Sequence, residues 1–253
     1  MAQFSKYQGT GNDFIIIDNR DLSFQVSTEH IASLCERRFG IGADGLILLQ
    51  NEKDYDFRMV YFNADGNESS MCGNGGRCIV AFAKALGIID KKTNFIAVDG
   101  PHEAHIELDL INLQMSNVDL ISEDENDFVL DTGSPHYVHF VEDIVSFDVF
   151  KNGKSIRNSA KYKEEGINVN FVEFDDGRLV VRTYERGVED ETYSCGTGVT
   201  AASICFSMQN NFIEQIPVST LGGQLQVCLK WNGQGMEDIW LQGPAKLVFE
   251  GTL

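Results

Sequence analysis

Two cysteines occupy the same local setting at two places in the chain. MCGNGG covers residues 71–76 and SCGTGV covers residues 194–199. In each, a cysteine precedes Gly-x-Gly and a long apolar segment follows, residues 77–86 in the first and 200–208 in the second. Cys72 and Cys195 stand 123 residues apart, close to half of the 253-residue chain. A helix starting at such a glycine presents unpaired N–H groups and about half a positive charge. Glycines there let backbone approach a ligand closely and form an anion-binding nest. The same field favours thiolate over thiol, lowering a cysteine from its ordinary pKa of ~8.5. Each element therefore offers a carboxylate cradle and an activated sulfur together. If Cys72 and Cys195 face each other across one site, the sulfurs flank the carbon that bears the carboxylate. The thiolate would remove a proton from one face and the thiol would deliver one to the other. The N–H groups would stabilise the charge that builds on the carboxylate. The outcome is inversion at one carbon, with no cofactor and no metal required.

Two other readings compete. Either cysteine alone could be a small buried hydrophobe at a helix start. A covalent cysteine nucleophile is the other, and it needs a histidine and an orienting partner. His136 is the only histidine in a repeated motif, and that mechanism would not use a second cysteine. The pairing of identical settings favours the acid–base pair.

The elements that must position these sulfurs follow one plan twice. Residues 3–20 read as a hairpin around Gly9 and Gly11, followed by a helix capped by Ser27 or Thr28 and running to about Arg38. Strands are expected at 46–50 and 57–62, the latter ending in the turn Asn63-Ala64-Asp65-Gly66. Then come Cys72 and an apolar helix stopped by Gly87, and short strands at 94–98, 102–108 and 111–115. After the acidic stretch 119–128, read as the domain junction, the order returns. Strands at 128–130 and 137–141 precede a helix and loop over 143–163, then strands at 167–174 and 178–184. A polar loop, 185–193, leads to Cys195 and the second helix, and strands at 224–230, 238–241 and 246–249 close the chain. Gly11-Asn12-Asp13-Phe14 and Gly133-Ser134-Pro135-His136 are offset by 122, as are Asn63 and Glu185; the cysteines are offset by 123. We read two copies of one αβ domain, diverged after duplication. Each copied helix is apolar nearly all round, with only Arg77 and Lys84 charged in the first, so each must be wrapped on most sides. The predicted fold is α+β: two pseudo-symmetric duplicated domains, each a curved, mainly antiparallel sheet around a central apolar helix. Cys78 and Cys205 fall inside those helices and read as core.

Bulk composition narrows the partners. With 20 Lys and Arg against 38 Asp and Glu, the formal charge is −18. That argues against nucleic acid or an anionic membrane surface, though not against an anionic small substrate. No apolar run reaches the ~18 residues of a membrane span, and the first residues lack the pattern of a secretion signal, so a cytoplasmic location is expected. Six cysteines without a CxxC spacing argue against a zinc ribbon, a thioredoxin-type site or a disulfide scaffold.

The joint occurrence of MCGNGGRC (residues 71–78), GTGNDF (9–14), FNADG (62–66) and ERG…CGTG (185–198) resembles the diaminopimelate epimerase family over nearly the whole chain. The resemblance implies PLP-independent interconversion of LL- and meso-diaminopimelate, toward lysine and peptidoglycan precursors, on a duplicated fold that is usually a homodimer. It implies halves at 1–118 and 119–242, with the last strand, 243–253, joining the first. Carried over by position, Cys72 and Cys195 would be the acid–base pair, and Gly73, Asn74, Gly196 and Thr197 would supply N–H groups to the reacting carboxylate. Asn12, Asn63, Asn168, Glu185 and Arg186 would grip the non-reacting amino acid end. An Arg there can bind a carboxylate bidentately, and Glu with Asn carbonyls can accept from an ammonium.

Three departures from the family pattern bear on Gly45, Ser134 and the loop after Arg186. Many members have Asn where Ser134 precedes Pro135-His136; the shorter serine is expected to lose its contact or make it through water. Many bacterial members have Gln where Gly45 stands, leaving only backbone to touch substrate. The usual loop ERGVGET is ERGVEDET here, and Glu189-Asp190 is expected to shift the setting of Arg186. The alternatives are a racemase of another amino acid, such as histidine, on the same scaffold, and a binding protein that keeps the cleft without chemistry. Proline racemase relatives typically carry His where Asn74 stands, and binding alone does not need two thiols.

Overall fold

The computed structural model describes residues 2–124 and 127–253. Of the acidic stretch read as the junction, residues 125 and 126 lie outside the described residues. The chain divides into two compact units, Met1–Leu113 with Gly243–Leu253, and Gln114–Gln242.

The first unit contains β1 (Gln3–Gly9), β2 (Asn12–Asp18), α1 (Thr28–Cys35), β3 (Gly45–Gln50), β4 (Phe57–Asn63), β5 (Glu68–Ser69), α2 (Gly73–Ala85), β6 (Lys92–Ala97), β7 (Gly100–Glu107) and β8 (Leu110–Gln114). The second contains β9 (Ile121–Asp124), β10 (Asp127–Asp131), β11 (Pro135–Phe140), α3 (Val149–Arg157), β12 (Asn168–Asp175), β13 (Arg178–Glu185), β14 (Asp190–Thr192), α4 (Gly196–Gln209), β15 (Gln215–Thr220), β16 (Gly223–Trp231) and β17 (Met236–Gly243). The final strand, β18 (Lys246–Thr252), pairs antiparallel with β1.

Strand pairing repeats as well as element order. In the first unit β1 pairs antiparallel with β2, β2 runs parallel to β3 across α1, and β3 and β4 are antiparallel. Then β4 runs parallel to β6 across α2, with β7 and β8 following as a meander. In the second unit β10 pairs antiparallel with β11, β11 runs parallel to β12 across α3, and β12 and β13 are antiparallel. Then β13 runs parallel to β15 across α4, and β16 follows antiparallel. Two parallel steps at matching places in an otherwise antiparallel order are a detailed signature of duplication.

Both helices in each unit need a sheet face, so the shared strands are buried on both sides. In β2 the run Phe14, Ile15, Ile16, Ile17 is continuous and fully buried, as expected of a doubly covered strand. Ile15, Ile17, Leu46 and Leu48 pack with Ile31 and Cys35 of α1. Helix α2 takes the opposite face, against β1, β2 and β3. In the second unit Val169, Phe171 and Tyr184 pack with Val149 of α3, while α4 lies against β10–β13, β15 and β16.

Four strands depart from the sequence reading: the two-residue β5 and three others. β9 sits in the acidic stretch and pairs with β10. β14 lies in the loop read as irregular, and β15 carries Pro217, a residue that argues against a strand. Neither β9 nor β14 shows the apolar alternation that marks a half-buried strand, whereas β15 buries Ile216 and Val218 at alternate positions on either side of Pro217. Helix α1 also stops at Cys35, short of Arg38, because the following loop folds back: Gly42 N–H donates to the Leu34 carbonyl and Ala43 N–H to that of Cys35.

Candidate active site

Cys72 is the N-cap of α2, with extended backbone (φ −91°, ψ 132°) and no side chain capping the helix start. The first-turn N–H groups therefore find no acceptor within the helix. Asn12, where β2 begins, accepts through Oδ1 from the Cys72 thiol (3.5 Å) and from Asn74 Nδ2 (3.4 Å). Its Nδ2 donates to Asp44 Oδ2 at 2.5 Å, which fixes the amide orientation. Asp44 also binds Arg37, and Asp13 lies between Lys6 (2.9 Å) and Arg37 (2.8 Å). Burial alone would raise the Asp13 carboxyl; hydrogen bonds from Arg37 and Lys6 outweigh it and hold the pKa at about 2.

The Asn74 side chain turns inward and is buried. Its Oδ1 accepts from Arg77 Nη2 at 2.9 Å and from Thr10 Oγ1 at 3.4 Å. Its backbone, like that of Gly73, lies in the first turn. Gly45 is buried opposite Asn63 in the β3–β4 register. A Cβ at position 45 would stand 2.5 Å from the Phe62 carbonyl oxygen and 2.6 Å from Tyr61 Cε2. The space a side chain would take there holds the Tyr61 ring. Asn63 is exposed, and its carbonyl accepts from Gly66 N–H to close the turn.

In the second unit Cys195 is the N-cap of α4, again extended (φ −114°, ψ 112°) and again without a side-chain cap. Cys195 Sγ lies 3.4 Å from Thr197 Oγ1, and Thr197 Oγ1 lies 2.9 Å from His136 Nε2. Asn170 Nδ2 donates to His136 Nδ1 (3.0 Å) and to the Tyr137 carbonyl (3.0 Å), while Asn170 Oδ1 accepts from Thr183 Oγ1 (2.9 Å). His136 is fully buried, and burial with the nearby Arg186 charge pushes its pKa down to about 3. A neutral imidazole whose Nδ1 accepts must carry its proton on Nε2. Nε2–H then donates to Thr197 Oγ1, which also shares a hydrogen bond with Cys195 Sγ.

A second cluster in this unit surrounds Arg186. Asn168 Nδ2 donates to Ser134 Oγ at 2.9 Å, and Asn168 Oδ1 accepts from Arg186 N–H at 2.9 Å. Arg186 Nη2 reaches Ser134 Oγ at 3.3 Å and Nη1 the Glu165 carbonyl at 3.0 Å. Ser134 Oγ thus takes part in holding both Asn168 and Arg186. The inserted Glu189 does not pair with Arg186: it binds Arg157 (3.2 Å) and accepts from the Tyr184 hydroxyl (3.2 Å). Glu185 accepts from Thr192 Oγ1 at 2.9 Å.

The structure therefore gathers Asn12, Cys72, Gly73 and Asn74 in the first unit, and His136, Cys195, Gly196 and Thr197 in the second, with Ser134, Asn168 and Arg186 adjoining. Among the described residues no group of His, Cys, Asp and Glu is arranged to hold a metal ion. No helix among them is long and apolar enough to cross a membrane.

The sequence profile of the family Diaminopimelate epimerase matches residues 4–117 and 128–248. The chain belongs to the diaminopimelate epimerase family. It is 52% identical over 252 residues to the diaminopimelate epimerase of Flavobacterium psychrophilum, covering 98% of each chain. It is 40% identical to that of Chlorobaculum tepidum, covering 97% of this chain and 98% of the relative. Solved structures extend the fold further. A PhzF-family phenazine biosynthesis protein of Bacillus anthracis superposes with a TM-score of 0.80 at 14% identity, covering 99% of this chain and 98% of that one. A hydroxyproline epimerase from Agrobacterium vitis does so at 0.70 and 14% identity, over 99% and 91%. These likenesses show the α+β fold.

Within this diaminopimelate epimerase family member, sequence reasoning passed over the residues that hold the cysteines' neighbours. Thr10 and Thr132 stand at the same 122-residue offset as the turns, and both bond to the residue two after the cysteine. Thr10 reaches the Asn74 side chain, and Thr132 Oγ1 donates to the Thr197 carbonyl at 2.9 Å. Asn170 and Thr183 lie in strands whose other buried positions, Asn168 apart, are apolar, which was the available signal for a buried polar network. Arg77 was visible as a charge in an apolar helix.

Proposed function

We propose that this chain interconverts LL- and meso-diaminopimelate by proton transfer at one α-carbon, without a cofactor, using Cys72 and Cys195 as the two acid–base groups. The observation that carries the reading is the duplicated helix start: an uncapped cysteine N-cap before Gly-x-Gly, once in each unit. Membership of the family over nearly the whole chain supplies the substrate. One sulfur, as thiolate, takes the α-proton and becomes a thiol. The electron pair left on carbon delocalises into the carboxylate, where N–H groups of Gly73, Asn74, Gly196 and Thr197 stabilise it. The other sulfur, as thiol, gives its proton to the opposite face and becomes the thiolate. Turnover thus exchanges the two roles, and the reverse reaction or solvent exchange restores them.

The distal end of the substrate needs recognition without chemistry. Arg186 would bind its carboxylate, with Asn12, Asn63, Asn168 and Glu185 accepting from or donating to the ammonium and carboxylate. Ser134, which binds Asn168 and Arg186, would set their positions, while Gly45 would offer backbone only. Neutral His136 would act through Thr197 on Cys195. A cytoplasmic location and a homodimer fit the reading; the exposed apolar run Leu247, Val248 and Phe249 on β18 would suit a partner subunit. The test is chiral separation of products from LL-diaminopimelate with purified protein. Wild type should approach the epimer equilibrium, and Cys72→Ala and Cys195→Ala should not. Failure of folded wild type to epimerise the substrate would refute the proposal.

A further inference from the structure

The two half-sites are built alike in backbone and unlike in charge. Arg77 and Thr200 occupy the same place, four residues after the first helical glycine, and each bonds back to that glycine's carbonyl. Arg77 Nη1 reaches the Gly73 oxygen at 3.2 Å, and Thr200 Oγ1 reaches the Gly196 oxygen at 3.0 Å. Arg77 is the largest fully buried side chain among the described residues. Its other partners, Thr10 Oγ1 and Asn74 Oδ1, are neutral, and its Nε has no acceptor. No carboxylate of a described residue forms an ion pair with it. An unpaired buried charge is costly and rarely kept without a role. Burial lowers the guanidinium's own pKa, and negative charge on Cys78 or Cys72 would act the other way.

The strands beneath the helix starts complete the contrast. Around Gly75 lie Ile47, Met59 and Phe14, all apolar. Around Gly198 lies Asn170, joined to His136 and Thr183 in a neutral polar network. One half places a cation on the helix; the other places neutral dipoles on the sheet.

We propose that Arg77 is a positioning residue that fixes the α2 start through Gly73 and Asn74 and supplies the positive charge that favours thiolate at Cys72. The inference deepens the two-cysteine reading and rests on it for its catalytic meaning. Among the described residues of the first unit, the other charged groups near the start of α2 are engaged elsewhere or are negative. On β1, Lys6 is engaged by Asp13 of β2, and Asp13 also by Arg37; Tyr7 of β1 faces Cys78, a thiol that burial pushes up beyond the ordinary range. Strand β3 contributes no titratable group. Asp99, which accepts from Met71 N–H at 3.3 Å and is paired with His102, is negative and opposes thiolate. The hydrogen bond from the Cys72 thiol to Asn12 Oδ1 also favours the neutral form, but at 3.5 Å it is weak beside a buried full charge.

The test is alkylation of each cysteine by iodoacetamide across pH, read peptide by peptide by mass spectrometry, in wild type, Arg77→Met and Arg77→Gln. No substrate is needed, so the outcome is separate from whether diaminopimelate is epimerised. In wild type the Cys72 midpoint should fall below the ordinary ~8.5. In either folded variant it should rise by at least about one pH unit, an approximately tenfold slower alkylation at pH 7, with the Cys195 midpoint unchanged. A wild-type Cys72 midpoint at or above ~8.5 overturns the proposal without any variant. So does an unchanged Cys72 midpoint in a variant whose circular dichroism is that of wild type, or an equal rise at both cysteines.

Discussion

Alanine at the two matched glycines should have unequal consequences, because the halves are filled differently. At Gly198 a Cβ would stand 2.2 Å from Asn170 Oδ1 and 3.3 Å from its Cγ. Asn170 cannot yield freely, since its amide holds Thr183, His136 and the Tyr137 carbonyl at 2.9, 3.0 and 3.0 Å. Moving it breaks up to three buried hydrogen bonds, each of which contributes about 1 kcal/mol, with more lost where a group is left unsatisfied. Against that, alanine gains up to ~1 kcal/mol of helix propensity. The net loss is therefore about 2–4 kcal/mol, a melting temperature lower by roughly 5–15 °C for a chain of this size. At Gly75 the nearest atoms are Ile47 Cδ1 at 3.3 Å, Met59 Cε at 3.4 Å and Phe14 Cε1 at 3.5 Å. Ile47 and Met59 offer only flexible side-chain ends, which can move by a few tenths of an ångström. That cost, under about 1 kcal/mol, is offset by the propensity gain. Thermal unfolding of Gly198→Ala and Gly75→Ala followed by circular dichroism compares them directly. Equal destabilisation, or a Gly198→Ala melting point within ~3 °C of wild type, would refute the buried-network account.

Further outcomes follow from the same geometry. His136 stays neutral in the folded chain down to about pH 3, whereas an unfolded histidine protonates near pH 6.5. The unfolded state therefore binds the extra proton in that window, and stability should fall as pH drops from about 6.5, by at most ~1.4 kcal/mol per pH unit from this group. Denaturant titrations of wild type and His136→Asn between pH 7.5 and 4.5 should show a shallower loss in the variant; parallel curves would remove His136 from the account. Asp13, held at about 2, adds stability that is present above pH 4 and lost as pH falls through 2. Arg186→Met should raise KM for diaminopimelate by roughly 10–100-fold with a smaller change in kcat, as expected for loss of a charged hydrogen bond away from the reacting carbon; a kcat loss alone would contradict that assignment. If both sulfurs reach one carbon, mild oxidation should link Cys72 to Cys195 and abolish activity, with recovery on reduction. Full activity in the linked protein would exclude the thiol mechanism.

How much could be read in advance depended on which signals leave a trace in one dimension. The cysteine motifs, the repeated turns and the two apolar helices were legible because duplication writes each twice at a fixed offset. Strong strands such as β2 and β12 were legible from their apolar runs. β9 and β14 were not, because short polar strands are held by their neighbours' hydrogen bonds and not by their own burial. β15 was hidden by Pro217. The site's supporting layer was the least visible part. Asn170 lies between apolar residues in β12, and only the fold shows that it faces His136 under a glycine of α4. Glu189 stands close to Arg186 in sequence, but its ion-pair partner is Arg157, 32 positions away, which sequence distance could not indicate. That the Tyr61 ring occupies the space beside Gly45 leaves no trace in the sequence.

The central claim is that two thiols exchange one proton with one α-carbon. Incubation of LL-diaminopimelate with the protein in D₂O measures this most directly, with deuterium at the α-carbon followed by mass spectrometry and proton NMR. Wild type should place solvent deuterium at the inverted centre of the meso product, and neither Cys72→Ala nor Cys195→Ala should form that product. Epimerisation persisting in either alanine variant, or meso product from folded wild type without α-deuterium, would contradict the two-cysteine account.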